Sequence, residues 1–296
     1  MKLKGSVSRE RWLVAQRQEE RAVSDADSIK EFLRVRRHTW ARLVDELKIS
    51  VDPATRILEI GGGPTSIFLA IREGERYAVD PAYSRLFDMH PFMRDVEEYK
   101  GVNFIGCPLE EMAPGKQFDI IFMVNVLDHV GSLKPVVDKI EELLAPGGTL
   151  VIVVDCYADP VVKNIIRFFD PDPSHPHHFT GGEVSRLFSG YRLTRQDNRL
   201  SVFSEVTFRG QRVGIPVYRL DKFLSRMVRY HSFRAKKWDI PFVTRYILCH
   251  SLALLVATLR RRERPIYPFK KPRLFVFQKP TEGWIVSGQA LLPAGH

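Results

Sequence analysis

The apolar positions of this chain follow two rhythms. Up to about residue 50 they recur at spacings of three and four, and from residue 55 they come in short runs separated by turns. Residues 8–22 and 28–48 therefore read as helices. In the second, Ile29, Phe32, Leu33, Trp40, Leu43, Val44 and Leu47 recur at helical spacing, and Ser28 with Glu31 has the form of a capping box. This pair of helices reads as a preface packed on the core, with Trp12 or Trp40 placed to help close a pocket. Asp52–Pro53 marks the next boundary. Five strand candidates follow, at 56–60, 76–80, 102–106, 118–124 and 149–154, with helices between them. The last follows a helix over 134–144 that the turn APGG ends. Such alternation predicts an α/β protein with a parallel sheet and helices on both faces.

Candidate chemistry gathers where these strands end. The stretch ILEIGGGPTSIF (57–68) carries Glu59 and then Gly61, Gly62 and Gly63, and Ile67 to Ile71 reads as a following helix. Strand, glycine turn and helix form the first unit of a Rossmann-like nucleotide site. Glycines let backbone approach a ligand, and a helix N-terminus offers free N–H groups. Ligands in such sheets lie beyond the carboxyl ends of the strands. The second strand ends at Asp80, 19 residues after Gly61, a spacing that suits a ribose-binding carboxylate. The third gives way to Cys107, Pro108 and Leu109, and the fourth to Asn125, Asp128 and His129. A dinucleotide fingerprint fits less well, because its third glycine falls on Ser66. Glu59 would also repel a pyrophosphate, whereas it suits a sulfonium or ammonium group.

These pieces resemble the class I S-adenosylmethionine-dependent methyltransferases. LEIGGGP matches the glycine motif, VDPA the ribose acid and GCPLEEM the adenine edge. FDIIFMVNVLDHV matches the fourth-strand motif, LLAPGGTLVIVV the fifth strand, and HPHHFTGGEVSRLFSGYRL the stretch before the sixth. The likeness spans roughly residues 55–198. It implies S-adenosylmethionine as cofactor. Glu59 and the backbone of Gly61 and Gly63 would hold its methionine part, Asp80 the ribose, and Pro81 would pack near the adenine. Leu109 and its neighbours would line the adenine slot, and the backbone of Asn125 would contact the methionine end. Thr65 stands where the family has a third glycine, and Cys107 where an acid often binds the adenine amine. The resemblance also implies a Rossmann-like, mostly parallel, seven-stranded sheet.

Methyl transfer to a hydroxyl is helped by a base. His129, a few residues beyond the fourth strand, is the first candidate, and His178 the second. Asp128 adjoins His129, but neighbours in a helix or turn do not face one another. His175, His177 and His178 invite a metal reading. Prolines make that segment a stiff loop with no Asp or Cys ligand at helical spacing, so no metal site is expected. Thr180 reads as the cap of a helix over GEVSRLF.

The remainder divides into one or two strands over 191–208, a last strand at 273–280 antiparallel to the sixth, and an insertion between them. That insertion contains a basic amphipathic stretch, 221–238, and a strongly apolar one, 242–264. The uncharged run Tyr246 to Leu259 has 14 residues, fewer than the roughly 20 of a spanning helix. It reads as a helical cap over the site, or as a helix on an anionic membrane, with Arg260, Arg261, Arg262 and Arg264 at its end. The domain reading is a helical segment 1–50, a cofactor-binding core 51–208 plus 270–282, a cap insertion 209–269 and a loose tail 283–296.

Composition changes this picture little. The 296 residues are 44% hydrophobic, enough for a sizeable core, and three dispersed cysteines form neither a disulfide framework nor a zinc pattern. A reducing cytoplasm is expected, as the first residues lack an apolar signal segment. The net charge of +10 is spread along the chain. NVLDHV lacks a base-clamping NPPY-like motif, which argues against nucleic acid as substrate. The expected function is methyl transfer to a small-molecule hydroxyl. The alternatives are a lipid-linked or glycan acceptor at a membrane and a non-catalytic cofactor-binding scaffold.

Overall fold

A computed structural model describes residues 6–22, 26–113, 115–169, 174–197, 206–208, 211–213, 240–259, 270–281, 284–287 and 290–293. Strands β1 (Arg56–Ile60), β2 (Glu75–Val79), β3 (Val102–Ile105), β4 (Phe118–Val124) and β5 (Leu144–Tyr157) run parallel in the order β3-β2-β1-β4-β5. A two-residue β6 (Phe179–Thr180) lies parallel to the end of β5. The sheet is completed by β7 (Arg192–Asp197) and β10 (Lys270–Gln278). β10 runs antiparallel between β5 and β7. The chain reverses its direction of winding between β1 and β4, which opens a crevice at their carboxyl ends.

Period-two burial explains the layers. In β1, Leu58 and Ile60 enter one core while Ile57 enters the other; in β5, Leu150, Ile152 and Val154 alternate with Val151 and Val153. The first core is closed by α4 (Leu133–Leu143) through Leu133, Val136 and Ile140, and by α6 (Gly181–Leu187) through Val184. The second is closed by α2 (Ala26–Leu47) through Ile29, Leu33, Trp40 and Leu43, and by α3 (Tyr83–Met89) through Tyr83 and Leu86. Buried Arg76 of β2 donates to the carbonyls of Ile71, Glu98 and Lys100, and Glu98 in turn accepts from Arg37 of α2 at 2.8 and 3.0 Å. These bonds hold the edge of the sheet to the helical preface.

Several local expectations are corrected. The segment after the glycines does not wind into an α-helix; only Ile67–Leu69 forms a 3-10 turn. α2 begins at Ala26, so Ser28 lies inside it and is not its cap. APGG is not a free turn, because β5 already starts at Leu144 and pairs irregularly with β4 across it. The C-terminal tail carries a hairpin, β11 (Trp284–Ser287) with β12 (Ala290–Pro293), since two short apolar runs can pair. A second hairpin joins β8 (Val206–Phe208) to β9 (Gln211–Val213). The expectations for 221–238 and for Arg260 to Arg264 lie outside the described residues.

The apolar stretch of the insertion forms α7 (Ile240–Leu259). Tyr246, Cys249 and Ala253 are buried; Cys249 and Ala253 pack with Val162 and Ile166 of α5 (Pro160–Phe169). Among the described residues, no helix is long and apolar enough to cross a membrane.

Candidate active site

A cavity of about 420 Å³ opens at the carboxyl ends of β1, β2 and β4, within the range of small-molecule sites. Gly61, Gly63, Asp80, Pro81, Leu109, Asn125 and His129 line it. Glu59, Cys107 and His178 are not among its lining residues. Trp12 and Gln16 of α1 (Arg9–Ala22) also reach it. Their spacing of four puts them on one helix face, but nothing in the sequence says that this face meets the cavity.

The floor of the site is the loop after β1. Gly61 and Gly63 have φ of +71° and +51°, a region that disfavours side chains. Behind them Glu59 is 2% exposed. Its Oε1 accepts from the Ile67 N–H at 2.8 Å and its Oε2 from the Ser66 hydroxyl. The Ser66 Oγ accepts from the Phe68 N–H at 3.1 Å. Two N–H groups at the start of the 3-10 turn are therefore taken internally and do not face a ligand. Tyr99 accepts from the Ser66 N–H and donates to the Pro64 carbonyl, each at 3.0 Å. Trp40 Nε1 donates to the Thr65 carbonyl at 2.7 Å. Thr65, which replaces the family's third glycine, is not at positive φ.

Asp80 joins the second strand end to this loop. Its Oδ2 accepts from the Gly63 N–H at 3.0 Å and its Oδ1 from the Ala82 N–H at 2.8 Å. Asn125 adopts φ +55°, a conformation its residue type tolerates, and continues the sheet ladder to the Val153 carbonyl at 2.7 Å.

The fourth-strand loop meets the histidine segment. His177 Nε2 lies 2.9 Å from the Val130 carbonyl, and its N–H donates to the Asp128 carbonyl at 3.2 Å. Burial lowers the pKa of His177. His178 Nδ1 lies 3.3 Å from the Tyr157 hydroxyl. Thr180 caps α6, with the Glu183 carboxylate accepting from its N–H at 2.7 Å and its hydroxyl at 2.9 Å. The Asp128 side chain is 5% exposed, and its Oδ1 lies 3.8 Å from His129 Nε2. Its Oδ2 lies 3.8 Å from His175 Nε2. Burial raises the Asp128 pKa, but His129, His175 and Lys270 outweigh it and hold the carboxyl below its ordinary range. Sequence adjacency thus does bring Asp128 beside His129, because the chain turns here and does not run on as a regular helix.

A switched parallel sheet, a glycine turn backed by a buried carboxylate and an acid ending β2 define a Rossmann-like cofactor-binding α/β protein. The family model described as "Methyltransferase domain" matches residues 32–197, more than half of the chain. The chain belongs to that methyltransferase-domain family, and its fold is that of the class I S-adenosylmethionine-dependent methyltransferases. Among solved structures it is similar to the YcgJ protein from Bacillus subtilis (TM-score 0.58, 17% identity, 83% of this chain and 99% of that one). It is also similar to the [4+2]-cyclase SpnF (TM-score 0.51, 14% identity, 81% of each chain). At these identities the likeness shows the fold alone. A curated relative, "Probable polyketide synthase 14" of Dictyostelium discoideum, is 31% identical over 137 residues, 39% of this chain and 4% of that one. The chain thus spans a small fraction of the length of that relative.

Glu59 generates a prediction about pH. Burial, offset in part by the bonds from Ser66 and Ile67, raises its carboxyl from the ordinary value of 4.5 to about 7. Between those values the folded chain holds a proton that the unfolded chain has lost. Stability therefore falls as pH rises through this window, by roughly 3 kcal/mol from this group. Glu59→Gln carries no such charge. Its melting temperature should vary less between pH 5 and 8 than that of the wild type, and should exceed it at pH 8, as read by thermal denaturation.

Proposed function

We propose that this protein transfers a methyl group from S-adenosylmethionine to a hydroxyl of a small-molecule acceptor, with His129 taking the hydroxyl proton. The observation that carries this reading is that His129 is the one imidazole lining the cavity among the described residues. The residues present fit the cofactor. A Cβ at Gly63 would meet no atom within 4 Å, so backbone there can lie directly against the methionine part. Asp80, at the cavity rim, accepts from the Gly63 and Ala82 N–H groups, which fix its carboxylate where a ribose-binding acid is expected. Pro81 and Leu109 offer apolar surface to the adenine, and Asn125 presents backbone to the methionine end. Glu59 acts through the loop it holds, and Cys107 is half-buried against the core that contains Leu109.

When bound, S-adenosylmethionine supplies a methyl on a cationic sulfur that is displaced in line, leaving a neutral thioether that needs no acid. The chain's own work is then to orient the acceptor, exclude water and receive one proton. Trp12 and Gln16 line the cavity from α1, and the His129 imidazole lines it as the group that receives the proton. His178, the second candidate base, lies beside Tyr157 and does not line the cavity.

A second reading concerns where the acceptor is met. Leu248, Leu252, Leu255 and Leu259 of α7 are 55%, 41%, 54% and 72% exposed and recur at spacings of four and three. This stripe lies about a quarter turn round the helix from the one packed on α5. With basic residues on both sides in the sequence, it suits an anionic membrane surface and an acceptor carried on lipid.

Asp80→Ala should weaken binding of the demethylated cofactor at least about tenfold in calorimetry, and equal affinity would remove Asp80 from the ribose site. At saturating cofactor, His129→Ala should lower turnover by about 10²- to 10⁴-fold. Undiminished turnover would leave proximity as the mechanism. Leu252→Asp combined with Leu255→Asp should abolish sedimentation with anionic vesicles; if the wild type stays in the supernatant, the membrane reading fails.

A further inference from the structure

Asp128 is a carboxylate without the partners that burial demands. Its side chain is more than nine-tenths buried, and Oδ1 has no hydrogen-bond partner. Among the described residues, the groups within ion-pair distance of it are two imidazoles, His129 and His175, each at 3.8 Å. That separation is too long for a hydrogen bond. Lys270, whose charge also acts on Asp128, has its Nζ 3.5 Å from Asp155. A buried carboxylate held this way is costly unless something bridges the gap.

One ligand atom each from Asp128, His129 and His175 lie within 4.8 Å of one another. Ligand atoms about 2.1 Å from a tetrahedral ion stand about 3.4 Å apart, so the two spacings to Asp128 need to close only slightly. The backbone around the three is already fixed. His129 N–H donates to the Val126 carbonyl at 2.8 Å, and His177, two residues beyond His175, is anchored on Val130. Two nitrogens and one carboxylate oxygen make a donor set for divalent first-row metals, and three protein ligands leave at least one position open. His129 is both a member of the trio and a lining residue of the cavity, so the trio adjoins the cavity.

We propose that Asp128, His129 and His175 bind a divalent transition-metal ion at the acceptor side of the cavity. The inference rests on reading that cavity as the methyl-transfer site, and it deepens the reading by assigning the acceptor's chemistry. The ion takes an acceptor oxygen as its remaining ligand, so the favoured acceptors are oxygen chelators such as a vicinal diol, an enol beside a carbonyl or a hydroxy acid. Coordination makes the hydroxyl more acidic and its proton leaves to solvent; with the ion bound His129 is a ligand, and the base role proposed above belongs to the metal-free protein.

The test uses the full chain, stripped of metal by chelator and titrated with Co²⁺ and, by competition, with Zn²⁺. The wild type should bind one equivalent of Co²⁺ with a visible ligand-field spectrum. His175→Ala and Asp128→Asn should each weaken binding at least about tenfold, while His38→Ala, at an exposed imidazole of α2, should not. His175 lies on a partly exposed loop, so its variant keeps the test valid if Asp128→Asn fails to fold. Absence of stoichiometric binding, or equal affinity in wild type and His175→Ala, overturns the site. Binding of the demethylated cofactor, measured on the same metal-free protein, separates the two readings. If it binds and Co²⁺ does not, the cavity stands and the metal site falls; if neither binds, both fall.

Discussion

The buried carboxylate of Glu59 is the constraint on which the cofactor edge of the sheet depends. It projects into the core between the sheet and α2, where an unsatisfied charge would be costly. The loop after β1 has therefore folded around it. Ser66 and Ile67 supply donors, and a Cβ at Gly62 would strike both the carboxylate and the Tyr83 hydroxyl. Tyr99 and Trp40 then take up the polar groups that the tight bend leaves over. The loop is thus shaped from behind, and Gly61 and Gly63 remain in front with backbone open to a ligand.

This arrangement also decides what kind of ligand the edge suits. A helix N-terminus with free N–H groups favours an anion. Here a carboxylate and a hydroxyl occupy those donors, and the turn ends after Leu69. The positive end that would attract a phosphate is neutralised, and Asp80 adds a second acid at the rim. An uncharged sugar and a cationic sulfur suit such an edge better than a pyrophosphate does. The shared fold of a methyltransferase family and a cyclase shows that the reaction is set elsewhere. Trp12 and Gln16 of α1 and Asn125, Val126, His129 and Val130 of the loop after β4 line the rest of the cavity.

Strands were legible because burial on both faces makes continuous apolar runs, and the strand ends followed from topology alone. Gly61, Gly63, Asp80, Leu109, Asn125 and His129 could be chosen that way and do meet at one cavity. Trp12 and Gln16 could not, since helical spacing assigns residues to a face without saying what that face meets. The 3-10 turn escaped prediction because apolar spacing over 67–71 resembles a helix. The contact at its start, the Ile67 N–H donating to Glu59 eight residues earlier, likewise cannot be read from spacing.

The sequence by itself determined the sheet, the glycine turn and the position of Asp80 after the second strand, because local periodicity and strand-end position carry that information. Only the tertiary structure decided which groups stand beside His129. Asp128 reaches it through a tight turn, and His175 arrives from 46 residues further on, held by the His177 anchor. Such contacts depend on how two loops pack, and no spacing along the chain encodes them.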